Sequence, residues 1–216
     1  MYQPPATLPE DLLLLCASPD DGRLRLPNHF RFAVAGGVLT ELLAAGAATL
    51  DGTRLLLLNP GPLGGHPALN AASAVLARHA GPPRGARLRT CVNRLGRRAA
   101  EPYLASLVQR GLAERRAWKL LGVVPIARYT ATSAGLAARK LLTAQVADAV
   151  ENPAAPARAF RLAALANAGE LTGRLYPGPV TNRRARGRLA DLTRHDPVAT
   201  AVHHAVRSAK QAAASS

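Results

Sequence analysis

Two segments of the chain share one order of signals: an apolar helical pattern, a glycine that ends it, and a β-hairpin pattern. The first helical pattern ends at Gly46 and the second ends at Gly111. Glycine is favoured just after a helix because it adopts the left-handed backbone conformation without strain. The repeated order therefore predicts helices joined by small hairpins rather than one large sheet.

Local start and stop signals predict the remaining helices. Thr7-Leu8-Pro9-Glu10 is a capping box with a proline in the first turn, and Asp196-Pro197 begins the last helix. Helices are predicted at about 8–18, 30–45, 66–80, 92–99, 102–111, 133–149, 156–174, 182–193 and 197–212. Hairpins are predicted at 48–58, with a two-residue turn at Asp51-Gly52, and at 112–130.

The expected fold class is mainly α, a compact helical domain with two small β-hairpins, one of which has an apolar projecting tip. Aromatic residues make up only 4% of the chain, which favours helices of small residues over a β-sandwich. A length of 216 residues is enough for one core and forces no division, so we expect a single domain with an ordered core over about 7–212.

Neither a membrane span nor a signal peptide is predicted. No apolar run reaches the ~18 residues of a transmembrane helix, and the first residues lack a charged region followed by an apolar one. Cys16 and Cys91 have no CxxC spacing. We expect them to be buried, reduced thiols of a cytoplasmic protein.

The second hairpin carries large apolar side chains at its predicted turn, which is centred on Gly122. A hairpin tip normally projects into water and is polar, so an apolar tip indicates a binding partner. The arginines that flank the tip indicate that this partner is anionic. The tip residues are Trp118, Leu120, Leu121, Val123 and Val124.

The middle of the chain carries most of the net charge. Residues 78–140 contain 14 basic and 2 acidic residues, a net of +12, whereas the whole chain carries +15. Such a concentrated charge attracts nucleic acid or an anionic membrane surface. A bias in genome base composition explains a high arginine total, but it does not explain why acidic residues nearly vanish from this block.

Catalytic motifs with a defined spacing are missing from the sequence. It contains no GxxxxGK[ST], GxSxG or HExxH pattern, and no GxGxxG follows a predicted strand. His203 and His204 are adjacent, so on a helix they point about 100° apart and do not share a metal ion. We therefore expect no enzyme, no metal site and no cofactor.

Three interpretations of the basic block and its hairpin stay open. In a winged-helix nucleic-acid-binding protein, Arg94, Arg97 and Arg98 contact phosphates and the hairpin is the wing. In a membrane-binding protein the apolar tip enters the bilayer, where a fully buried side chain is worth ~1.5–3 kcal/mol. In an oligomeric scaffold the tip packs on a second copy of the chain. The apolar tip argues against the wing.

Several motifs, in this order, resemble the Golgi phosphoprotein 3 family. They are residues 8–15 (LPEDLLLL), 36–42 (GGVLTEL), 107–112 (LVQRGL) with the apolar hairpin that follows, 161–165 (RLAAL) and 186–192 (RGRLADL). The resemblance extends over about residues 8–209. The arginine and alanine bias and the short amino-terminal region are similar to those of a bacterial member.

This resemblance implies a mostly helical protein that binds phosphatidylinositol 4-phosphate, inserts its hairpin tip into the membrane and binds the tails of glycosyltransferases. The family's headgroup pocket has one tryptophan and three arginines. Those positions fall on Leu26, Ala35, Arg97 and Ala100, so only Arg97 is retained. The nearby arginines that we expect to replace the others are Arg98, Arg94 and Arg31.

The leading hypothesis is a cytoplasmic, non-enzymatic protein that is peripheral to the membrane. Its expected partner is an anionic membrane surface or a phosphoinositide, held by arginines of the basic block while residues 118–124 contact the bilayer. A homo-oligomer and the tails of membrane-protein clients are further expected partners. Nucleic acid is the less favoured alternative.

Overall fold

A computed structural model describes residues 6–58, 66–81, 84–120 and 124–215, without the side chains of 117–120, 124–126 and 179–182. Most of the described residues are helical. The helices of the described ranges are α1 (Leu8–Leu15), α2 (Arg31–Ala44), α3 (Pro67–Ala80), α4 (Leu88–Gly96), α5 (Ala100–Gln109), α6 (Ser133–Glu151), α7 (Ala157–Ala168), α8 (Thr172–Leu175), α9 (Pro179–His195) and α10 (Pro197–Ala214).

The strands form two small antiparallel sheets, which confirms the mainly α class with two hairpins. One sheet has the order β1-β2-β3 and the other pairs β4 with β5. The two-residue β3 was not predicted, because its pairing with β2 joins segments about thirty residues apart. The strands are β1 (Ala48–Asp51), β2 (Arg54–Leu57), β3 (Ala86–Arg87), β4 (Ala113–Leu120) and β5 (Val124–Ala131).

Both predicted glycine stops are confirmed by the backbone. Gly46 follows α2 with φ +67° and Gly111 follows α5 with φ +69°. The N–H of Ala47 donates to Leu42 O at 3.0 Å, and the N–H of Leu112 donates to Leu107 O at 2.9 Å. Each helix thus ends in a Schellman motif, which satisfies a carbonyl of its last turn and aims the chain into a strand.

The first hairpin turns one residue later than predicted. Asp51 pairs with Arg54, so the two turn residues are Gly52 and Thr53 rather than Asp51 and Gly52. Gly52 has φ +54°, which suits the first position of a two-residue hairpin turn.

Several predicted helix boundaries were wrong. Helix α1 ends at Leu15 rather than 18, because Ala17 leaves the helix to pair with Leu24. The helix predicted over 156–174 breaks after α7, where Glu170 has φ +66°. Helix α9 begins at Pro179, a residue that fits a first helical turn because it has no N–H to satisfy.

Helix α4 also starts earlier than predicted, at Leu88 instead of residue 92. The N–H of Leu88 donates to the backbone oxygen of Thr53 at 2.9 Å, so the β1-β2 turn holds the start of the helix. This anchor is a tertiary contact and leaves no local signal in the sequence.

Helix α2 lies at the centre of the core and packs against α1, α4, α7 and α10. A Cβ added at Gly36 would lie 2.5 Å from Val202 Cγ2 and 2.8 Å from Leu165 Cδ2. Only glycine permits this approach of α10 and α7 to α2. The buried residues extend from Leu8 to Val206 as one cluster.

Polar contacts fasten α1 to the rest of the molecule. The capping box is confirmed, since the N–H of Thr7 donates to Glu10 Oε2 at 2.7 Å. Glu10 is 2% exposed, and its Oε1 accepts from Ser106 Oγ at 2.6 Å. The N–H of Leu8 donates to Glu41 Oε1 at 2.6 Å. These bonds tie the first helix to α2 and α5.

Candidate anion-binding site

Helices α3, α4 and α5 enclose a cleft of about 520 Å³ that is lined by three arginines. Arg94 lies in the last turn of α4, Arg97 is its C-cap, and Arg98 follows in the turn before α5. The connection between the two helices is only three residues long, so all three side chains reach the same opening. Its volume falls in the range of small-molecule sites, about 300–1,000 Å³.

None of these three arginines forms an ion pair with a carboxylate in the described part of the chain. The helix dipole at the carboxyl end of α4 stabilises each nearby cation by about 0.3–1 kcal/mol, which favours arginines at this end of the helix. Among the described residues no carboxylate compensates the positive charge at the cleft, so the cleft favours an anionic ligand.

The rest of the cleft is mostly apolar. Helix α3 contributes Ala71 and Val75 to the lining, and Val75 is 46% exposed. Val38 and Leu95 lie deeper in the cleft. Tyr103 also lines the cleft, and its buried hydroxyl has no hydrogen-bond partner among the described atoms. Burial, followed by the charges of Glu10 and Glu41, raises the pKa of Tyr103, so this hydroxyl stays protonated.

Three of the four arginines predicted for the site, Arg94, Arg97 and Arg98, line the cleft. The fourth, Arg31, packs beside α4 just before Arg97, because a Cβ added at Gly96 would lie 3.8 Å from Arg31 Cγ. Arg31 is exposed at the start of α2, where its guanidinium lies 4.8 Å from the centre of the Phe32 ring. It is not part of the cleft lining. Its stacking on Phe32 gives it a local role in covering the core.

The other family headgroup positions are not among the residues that line the cleft. Ala35 is completely buried inside α2, where an arginine would place a charge in the core. Ala100 begins α5 and is half-buried, and Leu26, 39% exposed, lines a different cleft. Of these positions, Arg97 alone lines the arginine cleft.

The hairpin backbone is described on both sides of its turn. Trp118 pairs with Ile126 and Leu120 with Val124, which leaves residues 121–123 between the strand ends. Leu121 and Val123 lie outside the described residues, as do the side chains of Trp118, Leu120 and Val124. The apolar tip therefore stays a prediction.

A second basic cleft, of about 630 Å³, lies at the base of this hairpin. Arg116 on β4 pairs directly with Arg128 on β5. Like charges placed opposite each other in a sheet are destabilising. Arg23 and Arg25 line the same cleft from the segment before α2. Sequence reasoning missed this group because it depends on the strand register.

Backbone hydrogen bonds hold the Arg23–Arg25 segment against β5. The N–H of Leu24 donates to Tyr129 O at 3.0 Å, and the N–H of Ala131 donates to Gly22 O at 2.8 Å. Gly22 has φ +66°, and an added Cβ there would lie 2.9 Å from Ala131 O. Glycine is thus needed where this segment meets the strand.

Comparison with models of known protein families gives a match over most of the chain. The model of the family described as Golgi phosphoprotein 3 (GPP34) matches residues 8–209. The chain belongs to the Golgi phosphoprotein 3 family. The match begins at the first residue of α1 and ends inside α10, so it includes the arginine cleft and the hairpin of this Golgi phosphoprotein 3 family member. No curated protein matches the chain.

The described ranges hold neither a membrane-spanning helix nor a cluster of metal ligands. No helix of the described residues is long and apolar enough to cross a membrane. No group of three His, Cys, Asp or Glu side chains in those ranges is placed to hold a metal ion. Cys16 and Cys91 are free and buried, as predicted. Burial raises the pKa of Cys16, and it raises the pKa of Cys91 to about 11.

Proposed function

We propose that this protein is a non-enzymatic peripheral membrane protein of the Golgi phosphoprotein 3 family that binds anionic lipid headgroups. Arg94, Arg97 and Arg98 hold the phosphate, and the apolar tip at residues 118–124 enters the bilayer surface. The observation that supports this proposal is that three arginines, which have no carboxylate partner among the described residues, line one cleft.

Arginine suits this task for a chemical reason. Its planar guanidinium donates two parallel hydrogen bonds to one phosphate and stays charged at every physiological pH. Each basic residue near an anionic membrane adds about 1 kcal/mol of attraction. Three such residues give a modest affinity, so a second contact with the membrane is needed for stable binding.

The hairpin has the dimensions for this second contact. The Arg116–Arg128 pair lies four residue positions along the hairpin from the Leu120–Val124 pair, on the side away from the tip. At ~3.3 Å per residue this is about 13 Å of strand. Interfacial elements bury their apolar part about 5–10 Å deep. When the tip is inserted, the arginine pair therefore stays at the level of the phosphates.

Vesicle co-flotation tests the proposal. The wild-type protein is mixed with neutral phosphatidylcholine vesicles, with vesicles containing phosphatidylglycerol, and with vesicles containing phosphatidylinositol 4-phosphate. We expect flotation with the anionic vesicles only. The double variant Arg97→Gln with Arg98→Gln is expected to lose most of it.

The matched control removes the same charge elsewhere. Arg183 on α9 and Arg207 on α10 are exposed and lie outside the arginine cleft. Arg183→Gln with Arg207→Gln is expected to float nearly as well as wild type. Equal loss in both double variants shows attraction to total charge rather than a site. No flotation with any anionic vesicle at moderate salt rejects the proposal.

A further inference from the structure

We propose that the cleft between α3, α4 and α5 binds a single-chain anionic amphiphile, a phosphate group that carries one hydrocarbon chain. The phosphate lies against Arg94, Arg97 and Arg98, and the chain lies along the apolar wall. This inference rests on the proposed function in that the same arginines hold the phosphate, and it adds what fills the rest of the cleft.

Helix α3 builds the wall that receives the chain. The cleft residues Ala68, Ala71, Ala72 and Val75 are spaced three and four apart, so they share one face of the helix. Three of the four are alanines, whose short side chains leave a trough along the helix. Val75, a large apolar residue, is 46% exposed at the edge of this trough.

The opposite side and the floor of the trough are also apolar. Val38 is 2% exposed and Leu95 is 8% exposed, and Ala99 and Pro102 complete the lining beside the arginines. The cleft therefore has a cationic rim on α4 and an apolar interior on α2, α3 and α5. No carboxylate is part of the described lining.

Only a ligand with both kinds of group satisfies both parts of the cleft. Inorganic phosphate leaves the apolar wall exposed to water, and a neutral hydrocarbon leaves the arginines without an anion. A volume of about 520 Å³ suits a drug-sized ligand. That size accommodates one phosphate with one medium chain and excludes the two long chains of a bilayer phospholipid.

Affinity is then expected to depend on chain length. A fully buried methylene is worth about a fourfold gain in affinity. Because the trough is open on one side, we expect about twofold for each methylene that it covers. A ligand that is held by its phosphate alone shows no such dependence.

Calorimetric titration of the full-length protein tests this inference. The probes are glycerol 3-phosphate and the octanoyl, decanoyl and dodecanoyl lysophosphatidic acids, each kept below its micelle-forming concentration. We expect at least a tenfold rise in affinity from the octanoyl to the dodecanoyl compound. An affinity that is independent of chain length overturns the inference, whatever the variants do.

A pair of variants on α3 locates the chain. Ala71→Trp fills the trough, whereas Ala77→Trp places the same side chain at an exposed position of α3 outside the cleft lining. We expect Ala71→Trp to abolish the dependence on chain length and Ala77→Trp to leave it intact. Equal behaviour of the two variants also overturns the inference.

Vesicle flotation of the same proteins separates this inference from the proposed function. If the wild-type protein floats with anionic vesicles but its affinity does not depend on chain length, the proposed function stands and the amphiphile inference is overturned. If the protein neither floats with anionic vesicles nor binds any phosphorylated probe, both the proposed function and the amphiphile inference are overturned.

Discussion

Arg158 joins two acidic residues on different helices, because its Nη2 lies 2.7 Å from Asp11 Oδ2 and its Nη1 lies 3.1 Å from Glu41 Oε1. Asp11 on α1 is 5% exposed. Burial raises the pKa of its carboxyl, while the charge of Arg158 acts in the opposite direction. The guanidinium of Arg158 on α7 therefore links the carboxylates of α1 and α2 through two ion pairs.

Arg158→Met is expected to lower the free energy of unfolding by about 1–3 kcal/mol. The value lies between those for exposed and buried pairs because the Arg158 side chain is 45% exposed. Urea denaturation measures it. The control is Arg161→Met at an exposed position of the same helix. The prediction is wrong if both variants unfold at the same urea concentration.

Two glycine-to-alanine changes are expected to have opposite signs. At Gly36 the new Cβ would lie 2.5 Å from Val202 Cγ2, whereas at Gly187 on α9 nothing lies within 4 Å. Gly36→Ala is therefore expected to lose about 1–3 kcal/mol through overpacking. Gly187→Ala is expected to gain about 0.5–1 kcal/mol from helix propensity. Thermal unfolding of the two variants checks both signs, and a stabilised Gly36→Ala contradicts the packing described for α2.

Acidic residues at the hairpin tip are expected to prevent membrane binding. Leu120→Asp with Leu121→Asp removes the apolar contribution of two side chains, so partitioning into anionic vesicles is expected to fall more than tenfold. Leu58→Asp with Leu141→Asp is the control, since these leucines are 55% and 67% exposed. Undiminished flotation of the tip variant rules out insertion. A halved mass by light scattering shows instead that the tip joins two copies of the chain.

Relief of the Arg116–Arg128 repulsion is expected to be visible in the dependence of stability on salt. The variant Arg116→Thr removes one charge of this pair. It also removes an exposed, 3.2 Å ion pair with Glu114, which contributes little to stability. The variant is expected to gain about 0.2–1 kcal/mol over wild type at low salt, and less when salt screens the charges. Arg115→Thr is the control because Arg115 pairs with Tyr129. A gain of the same size at every salt concentration is evidence against charge repulsion.

Both thiols are expected to resist alkylation in the folded protein. Burial raises the pKa of Cys91 from 9.0 to about 11, so its reactive thiolate is scarce at neutral pH. Because the folded pKa is the higher one, alkylation of the native protein rises only as the pH approaches about 11. Mass spectrometry after iodoacetamide treatment, with and without urea, measures this. Rapid alkylation of native protein at neutral pH contradicts it.

The parts of the fold that were predicted correctly depend on interactions between near neighbours. The capping box of Thr7 and Glu10 and the glycine stops at Gly46 and Gly111 involve residues at most five positions apart. Asp196 caps α10 in the same way, since its Oδ1 accepts from the N–H of Ala199 at 2.7 Å. Such contacts form in any tertiary setting, so a single sequence reveals them.

The features that were missed depend on residues far apart in the chain. Strand β3 exists because Ala86 pairs with Leu55, and α4 starts early because Leu88 bonds to the turn between β1 and β2. The place of Arg31 also depends on tertiary contacts, because it lies at the start of α2 over Phe32 and beside Gly96 of α4.

The sequence by itself determined the mainly helical class, the family and the concentration of positive charge in the middle of the chain. Periodicity, caps and composition are local properties, and the order of family motifs is visible without coordinates. The tertiary structure alone decided which arginines share a cleft. That result depends on how α3, α4 and α5 pack, since packing sets the distances between charges that the chain order leaves undefined.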